Sequence, residues 1–130
     1  MGEVVIKATS ISKSYDNGDS LLKVLDRISM EITSGEIVTI MGQSGAGKST
    51  LLHILGTLDS PDEGTVKMNG IDVNKCSKKE LSLLRNQEIG FIFQNHHLIP
   101  ELTVLENILV PTLIIDSNKD SITYADFLLD

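Results

Sequence analysis

Several residue types that define common classes of small protein are scarce in this sequence. It contains no tryptophan, one cysteine and three prolines, and aromatic residues make up only 4% of the chain. A single thiol, Cys76, cannot close an intramolecular disulfide or supply a zinc site or a redox pair, which favours a reducing compartment. The longest nearly apolar run, residues 108–115, is interrupted by Pro111 and Thr112 and is far too short to cross a bilayer. These absences exclude a disulfide scaffold, a cysteine-based metal domain and a membrane-spanning segment.

Basic residues are also in the minority. Eleven Lys and Arg stand against 18 Asp and Glu, which gives a formal net charge of −7 and a pI near 4.8. A chain with this charge repels phosphate backbones, so nothing favours general nucleic-acid binding. With 130 residues, 41% of them hydrophobic, there is room for one core and none for a multidomain enzyme. Any phosphate that the protein binds must therefore be held by a local arrangement.

Hydrophobic periodicity predicts an α/β chain. Strands are predicted at residues 7–15, 24–32, 37–41, 65–70 and 89–94, and helices at residues 48–58, 78–87, 104–114 and 122–130. Residues 37–41 are apolar on both faces, as expected of a buried strand in a parallel sheet. A turn is predicted at residues 16–19, and Thr103 with Glu106 forms a capping box in front of the third helix.

One segment carries the signal for chemistry. Residues 42–50 fit the pattern G-x-x-x-x-G-K-[ST] and lie between a predicted buried strand and a predicted amphipathic helix. Glycines let successive N–H groups point inward as an anion nest at the positive end of the helix dipole. Lys48 would reach the β- and γ-phosphates of a nucleotide, and the Ser49 hydroxyl would ligate Mg²⁺. The predicted phosphate-binding residues are Gly42, Gln43, Ser44, Gly45, Ala46, Gly47, Lys48, Ser49 and Thr50.

The phosphate loop alone does not distinguish an ATPase from a GTPase or a nucleotide kinase. A GTPase needs N-K-x-D to recognise guanine, and residues 118–121 miss this pattern because the acid comes one place early. A kinase for small substrates tends to gather arginines around the transferred phosphoryl group. Only Arg27 and Arg85 occur here. These observations favour neither a GTPase nor a kinase, although a GTPase remains an alternative to be tested by its guanine preference.

Two strands before the loop, an aromatic residue at Tyr15 and a glutamine, Gln94, closing a later strand together resemble the nucleotide-binding subunit of ABC transporters. The resemblance runs from near residue 5 to the end of the sequence. Residues 55–64, 84–100 and 100–108 look like the lipoprotein-releasing branch, with the macrolide-export branch next nearest.

The resemblance implies an α/β fold of the ABC-type P-loop NTPases. An antiparallel β subdomain would precede a partial parallel core sheet with flanking helices, and residues 1–130 would form the N-terminal portion of one nucleotide-binding domain. We expect the chain to be truncated before the Walker B strand, since neither that motif nor the serine-glycine-rich signature motif nor a switch histidine is found. Residues 113–116 imitate the end of a Walker B strand, but Pro111 disfavours a central strand and predicts a helix end.

The resemblance also implies a function and its residues. The subunit would use ATP, with Mg²⁺, to drive a membrane partner, most simply in lipoprotein release. Tyr15 would stack on adenine, Lys48 and Gln94 would be catalytic, and Ser49 and Gln94 would ligate the metal. A non-hydrolysing nucleotide-binding remnant or regulatory module and a macrolide-export-type ATPase are the alternatives. Without a positioned base, the chain as given should bind ATP better than it hydrolyses it.

Partners follow from the same resemblance. The segment that begins at Asn95 and ends at Glu101 would contact transmembrane permease subunits at the cytoplasmic face of the inner membrane, and the complete protein would be a homodimer. No nucleic-acid partner is expected. His96 and His97 could suggest a metal site, but His53 is the only third histidine, so they are interpreted as surface or partner-contact residues.

Overall fold

The computed structural model describes residues 2–115 and 120–129, and the chain divides into two compact units, Met1–Ser77 and Lys78–Asp130. The first unit is built on a four-stranded antiparallel sheet. Its strands are β1 (Val4–Asp16), β2 (Leu21–Thr33), β3 (Glu63–Met68) and β4 (Ile71–Asp72), in the spatial order β2-β1-β3-β4. One helix, α1 (Lys48–Leu55), and a 3₁₀ helix, Val73–Lys75, complete this unit. That residues 1–130 belong to a single domain stays a prediction.

The predicted hairpin is confirmed, with strands longer than the pattern indicated. β1 pairs with β2 from Val4↔Thr33 to Asp16↔Leu21. The turn between them forms for the reason anticipated, because Asp16 accepts a hydrogen bond from the Gly18 amide at 2.8 Å and Asn17 accepts one from the Ser20 amide at 2.9 Å. Both side chains replace backbone partners that the turn leaves unpaired.

The core of the first unit joins the sheet to α1. Its buried apolar side chains are Ala8, Ile11, Leu25, Leu51, Ile54, Leu55, Val66, Met68 and Val73. β3 approaches β1 most closely at Gly64, where φ is +89° and an added Cβ would lie 2.4 Å from the Ser10 carbonyl oxygen. At this point β1 bulges between Ala8 and Ile11. Only glycine allows the two backbones to come this close.

The predicted parallel sheet is absent from the described residues, so that part of the predicted fold is wrong. Residues 36–43 and 89–93 form no strand, and the side chains of Ile37, Met41 and Ile92 are 94%, 86% and 102% exposed. Apolarity on both faces of residues 37–41 predicted a strand in a sheet interior, but a strand also needs neighbours to receive its hydrogen bonds. Within residues 2–115 and 120–129 those neighbours do not exist.

The second unit is helical. It contains α2 (Lys78–Glu88), α3 (Val104–Leu109), a 3₁₀ helix (Val110–Ile114) and α4 (Asp120–Leu129). The capping box that opens α3 is confirmed, since Glu106 accepts from the Thr103 amide at 2.7 Å and Thr103 Oγ1 accepts from the Glu106 amide at 3.3 Å.

Helix ends were predicted less well than helix starts. Residues 104–114 were predicted as one helix, but α3 gives way to the 3₁₀ helix at Val110. The next residue, Pro111, lacks the N–H that a continuing α-helix would need. The first helix ends at Leu55, before Gly56, rather than at residue 58. α4 begins at Asp120, two residues before the predicted start. The end of the Walker B imitation, residue 116, lies outside the described residues. Among the described helices none combines the length and apolarity that crossing a membrane requires.

Candidate nucleotide-binding site

The phosphate loop runs from residue 42 into the start of α1. Gly45 and Gly47 have φ values of +79° and +82°, a left-handed conformation that residues with a Cβ rarely adopt. The Ala46 amide donates to the Gln43 carbonyl at 3.2 Å, which tightens the turn. Gly47 is the N-cap of α1 and offers no side-chain cap, so the helix's first amides face the loop. Such an arrangement is suited to an anion, because the amides and the helix dipole both favour negative charge.

Lys48 folds back over this loop. Its ammonium donates to the carbonyl oxygens of Gly42 and Gln43 at 2.7 and 2.6 Å. The side chain is thereby held at the mouth of the loop rather than extended into solvent. A fixed cation and a set of free amides concentrate positive potential here, although the chain as a whole carries −7.

The loop is packed against β2. A Cβ on Gly47 would lie 2.8 Å from Val24 Cγ1 and 2.9 Å from the Val24 carbonyl oxygen, so the loop lies directly on the strand. In the hairpin register Tyr15 lies opposite Leu22, two residues from this contact. The antiparallel pairing therefore brings the predicted adenine-stacking residue to the end of the sheet on which the loop rests.

Tyr15 is half-exposed and does not stand alone. Its hydroxyl donates to Asp59 Oδ2 at 3.0 Å, and the Lys13 ammonium lies 5.5 Å from the centre of its ring. Lys13 also donates to Asp59 Oδ1 at 3.0 Å and to the Ser60 carbonyl at 2.7 Å. Sequence reasoning missed Lys13 and Asp59, which are 46 residues apart. The one signal for Asp59 was its position in the segment 55–64, used there only to identify the branch.

Lys13 and Asp59 each stabilise the charged form of the other. Partial burial raises the pKa of Asp59, but hydrogen bonds from Lys13, the Ser60 amide and Tyr15 outweigh it and hold that pKa below its ordinary value. Burial lowers the pKa of Lys13, and the bond and charge of Asp59 with the charge of Asp62 more than offset it, so the pKa is raised. Both groups are therefore ionised at neutral pH.

Gln94 lies in the second unit, in the irregular segment after α2, and its side chain is exposed. Just before it the rings of Phe91 and Phe93 stack with centroids 5.4 Å apart, and Phe93 meets His97 edge-on at 4.8 Å. The phosphate loop and Tyr15 belong to the first unit, so the two parts of the predicted site are described in separate units.

The segment that follows, residues 95–101, is exposed throughout but has a defined anchor. Asn107 of α3 accepts from the Ile99 amide at 2.8 Å, and its amide group donates to the carbonyls of Ile99, Leu102 and Thr103 at 3.1, 3.1 and 2.9 Å. Nothing in the sequence reasoning singled out Asn107. Hydrophobic periodicity and turn motifs do not indicate that the side-chain amide of Asn107 bonds to backbone atoms.

Within the described part of the chain no group of three or more His, Cys, Asp or Glu side chains could hold a metal ion. The candidate ligand that the loop does offer is the exposed hydroxyl of Ser49, a hard oxygen at the mouth of the phosphate nest. Oxygen donors of this kind suit Mg²⁺, which keeps several waters and is usually shared with substrate phosphates. The residues present therefore fit a nucleotide with its magnesium ion.

Comparisons with known proteins agree with this geometry. The family model described as ABC transporter matches residues 25–129. The lipoprotein-releasing system ATP-binding proteins LolD of Bacteroides fragilis and Bordetella pertussis are 51% and 44% identical over 110 and 115 residues; these matches cover 85% and 88% of this chain and 49% and 50% of the relatives.

A solved structure is similar in fold. The dimeric post-hydrolysis state of the ATP-binding cassette MJ0796, bound to ADP and Pi, superimposes with a TM-score of 0.85 at 38% identity, over 95% of this chain and 55% of that one. The chain spans about half the length of the curated relatives that it matches. Because the family model covers most of the sequence, the chain belongs to the ABC transporter family, among its ATP-binding proteins.

Proposed function

We propose that this chain forms the nucleotide-binding part of an ATP-driven transport subunit of the lipoprotein-releasing branch. The observation that carries the proposal is the phosphate loop packed on β2, with the Lys48 ammonium fixed at its mouth by two loop carbonyls. The sequence identities of 51% and 44% to the two LolD proteins support the assignment to this branch. In such a subunit this phosphate loop would bind the phosphates of ATP, which has to happen before any transport step.

In this proposal each residue has a physical role. The amides at the start of α1 bind phosphate oxygens, and Lys48 exchanges its carbonyl partners for the β- and γ-phosphates. Tyr15 presents its ring to adenine. Ser49 and Gln94 would hold the magnesium ion, and Gln94 would orient the γ-phosphate side of the site. The ion would supply positive charge that neutralises the phosphates.

The partners are part of the same proposal. Residues 95–101 dock on a transmembrane permease at the cytoplasmic face of the inner membrane, in the conformation that Asn107 fixes. The complete subunit acts as a homodimer that hydrolyses ATP. The similar structure, a dimer bound to ADP and Pi, supports both statements.

One observation favours a second function for the chain as it stands. Ile37 and Ile92, which the ABC resemblance predicts to lie in a parallel sheet, are 94% and 102% exposed. Since residues 37–41 lead directly into the phosphate loop, the loop is supported on β2 but not by a sheet before it. These residues alone would then bind nucleotide without turning it over.

Substitution of Lys48 tests the proposal. We expect Lys48→Ala to weaken Mg-ATP binding by at least about 100-fold, because a charge-assisted contact to phosphate is lost. Lys75→Ala is the matched control, since the Lys75 side chain is 83% exposed and pairs with Asp72 at 3.5 Å. Isothermal titration of both variants measures the effect. Equal affinity in wild type and Lys48→Ala would reject the nucleotide site.

Two further measurements separate the finer alternatives. Phosphate release from ATP by the 130-residue chain, lost in Lys48→Ala, would reject the non-hydrolysing alternative. Depletion of the protein in its source cell should leave lipoproteins in the inner membrane. Unchanged lipoprotein sorting with raised macrolide sensitivity would instead identify the macrolide-export branch.

A further inference from the structure

We infer that Asp59 is a positioning residue that fixes the ring of Tyr15 for stacking on the base of a nucleotide. The inference rests on the proposed function, because it presupposes that Tyr15 contacts the base. Its starting point is the hydrogen bond of 3.0 Å between the Tyr15 hydroxyl and Asp59 Oδ2, which neither the sequence nor the family match assigns.

Asp59 is itself fixed to the helix that carries the phosphate loop. It lies in the turn after α1, and its amide donates to the carbonyl of His53 at 3.2 Å, as does the Leu58 amide at 2.8 Å. α1 begins at Lys48, so the same short helix holds the phosphate loop at one end and the partner of Tyr15 at the other. A ring held by Asp59 therefore keeps a set position relative to the phosphates.

The hydroxyl contact is not needed to hold the strand against this turn. Lys13 of β1 donates to the Ser60 carbonyl at 2.7 Å, the Ser14 amide donates to Asp62 Oδ2 at 2.7 Å, and the Asp62 amide donates to the Ser12 carbonyl at 2.9 Å. Three other bonds thus join β1 to residues 60–62. What the hydrogen bond of the Tyr15 hydroxyl adds is a fixed direction for the ring, which is 42% exposed.

Lys13 completes the arrangement. Its ammonium lies over the Tyr15 ring and pairs with the carboxylate that the hydroxyl contacts. A cation over one side of the ring leaves the other side for a flat base. Its charge also offsets that of Asp59, which would otherwise repel a nucleotide. Ordering the ring before the ligand arrives lowers the entropy cost of binding.

The test compares ATP with inorganic tripolyphosphate, which has the phosphates but no base. We expect Tyr15→Phe and Asp59→Ala each to weaken ATP binding about three- to tenfold, as loss of one hydrogen bond implies, without weakening tripolyphosphate binding. The double variant should lose no more than Asp59→Ala alone, because that variant already removes the contact that Tyr15→Phe removes. Asp62→Asn is the matched control: it removes a neighbouring charge but keeps an acceptor for the Ser14 amide.

The outcomes separate this inference from the proposed function. If Tyr15→Ala weakens ATP binding but Tyr15→Phe and Asp59→Ala do not, the inference is overturned and the stacking role stands. If Tyr15→Ala has no effect, both are rejected for Tyr15, while Lys48→Ala still tests the phosphate site. Equal losses for ATP and tripolyphosphate in Asp59→Ala would show a structural role and overturn the inference.

A spectroscopic readout tests the contact without nucleotide. The chain has no tryptophan and two tyrosines, so in a Tyr124→Phe background Tyr15 is the only fluorescent phenol. A carboxylate that accepts a hydrogen bond from a tyrosine hydroxyl quenches the fluorescence of that tyrosine. We expect emission to rise in Asp59→Ala and to stay unchanged in Asp62→Asn. Equal emission in all three proteins would overturn the inference.

Discussion

The β1–β2 hairpin and the segment at residues 37–41 are similar in composition but differ in structure. Both are rich in β-branched and aliphatic residues, and both were predicted as strands. In the hairpin each strand finds its partner across a short turn, and Ile11 is completely buried. In the segment Ile37 is 94% exposed and no strand forms. A buried parallel strand pairs with segments that are distant in the sequence. Its apolar pattern therefore shows that it could form a strand, but the strand forms only if those segments are in place.

The largest expected effect breaks the hairpin side of this comparison. Gly64→Ala would place a Cβ 2.4 Å from the Ser10 carbonyl at a φ of +89°. We expect a loss of about 4 kcal/mol or more in the free energy of unfolding, because backbone has to move. Gly70→Ala is the control: it has a φ of +79° with nothing within 4 Å, and should cost only about 1 kcal/mol. Urea unfolding of both variants measures the difference, and equal losses would contradict the close approach of β3 to β1.

The next effect compares one isoleucine from each region. Ile11→Ala empties a fully buried position and should lower the free energy of unfolding by about 3 kcal/mol. Ile37→Ala removes the same atoms from a side chain that is 94% exposed and should change it by less than about 0.5 kcal/mol. Denaturation curves of the two variants test the pair. A cost at Ile37 similar to that at Ile11 would mean that residues 36–43 are packed in solution.

The smallest expected effect is a pH dependence at two similar contacts between a threonine and a glutamate. Glu106 and Glu36 both accept from the amide and hydroxyl of a threonine three residues earlier, Thr103 and Thr33, and these bonds hold the pKa of each carboxyl below its ordinary value. A carboxyl whose pKa is lowered by folding stabilises the folded state at any pH above its pKa in the unfolded chain, about 4.3. That stabilisation is lost as the pH falls through the pKa of the folded state. Acidification below 4 should therefore fray α3.

Amide exchange measured by NMR between pH 6 and pH 3 follows both sites. We expect faster exchange at the first turn of α3 and no change at residues 37–41, because Glu36 precedes no helix or strand. Glu106→Gln should remove the pH dependence in α3. Protection that stays constant in α3 down to pH 3 would contradict a role for the charged capping box.

Local signals in the sequence predicted local structure well. The turn at Asp16 and Asn17 and the cap at Thr103 both depend on residues within a few positions of each other, and each forms. The structure adds what needs distant partners: the contact of Gly47 with Val24, and the bond of Tyr15 to Asp59. No periodicity encodes either contact. The two predicted parallel strands failed for the same reason, since their pattern specifies burial without naming a partner.

Asn107 gives the segment at residues 95–101 an unusual freedom to change. Its side chain bonds to backbone atoms of residues 99, 102 and 103, so this anchor does not depend on which side chains those residues carry. Residues such as His96 and Leu98 can therefore be exchanged while the anchor at residue 99 is kept. One amide would let the same cassette scaffold acquire new partners over evolution by surface substitution alone.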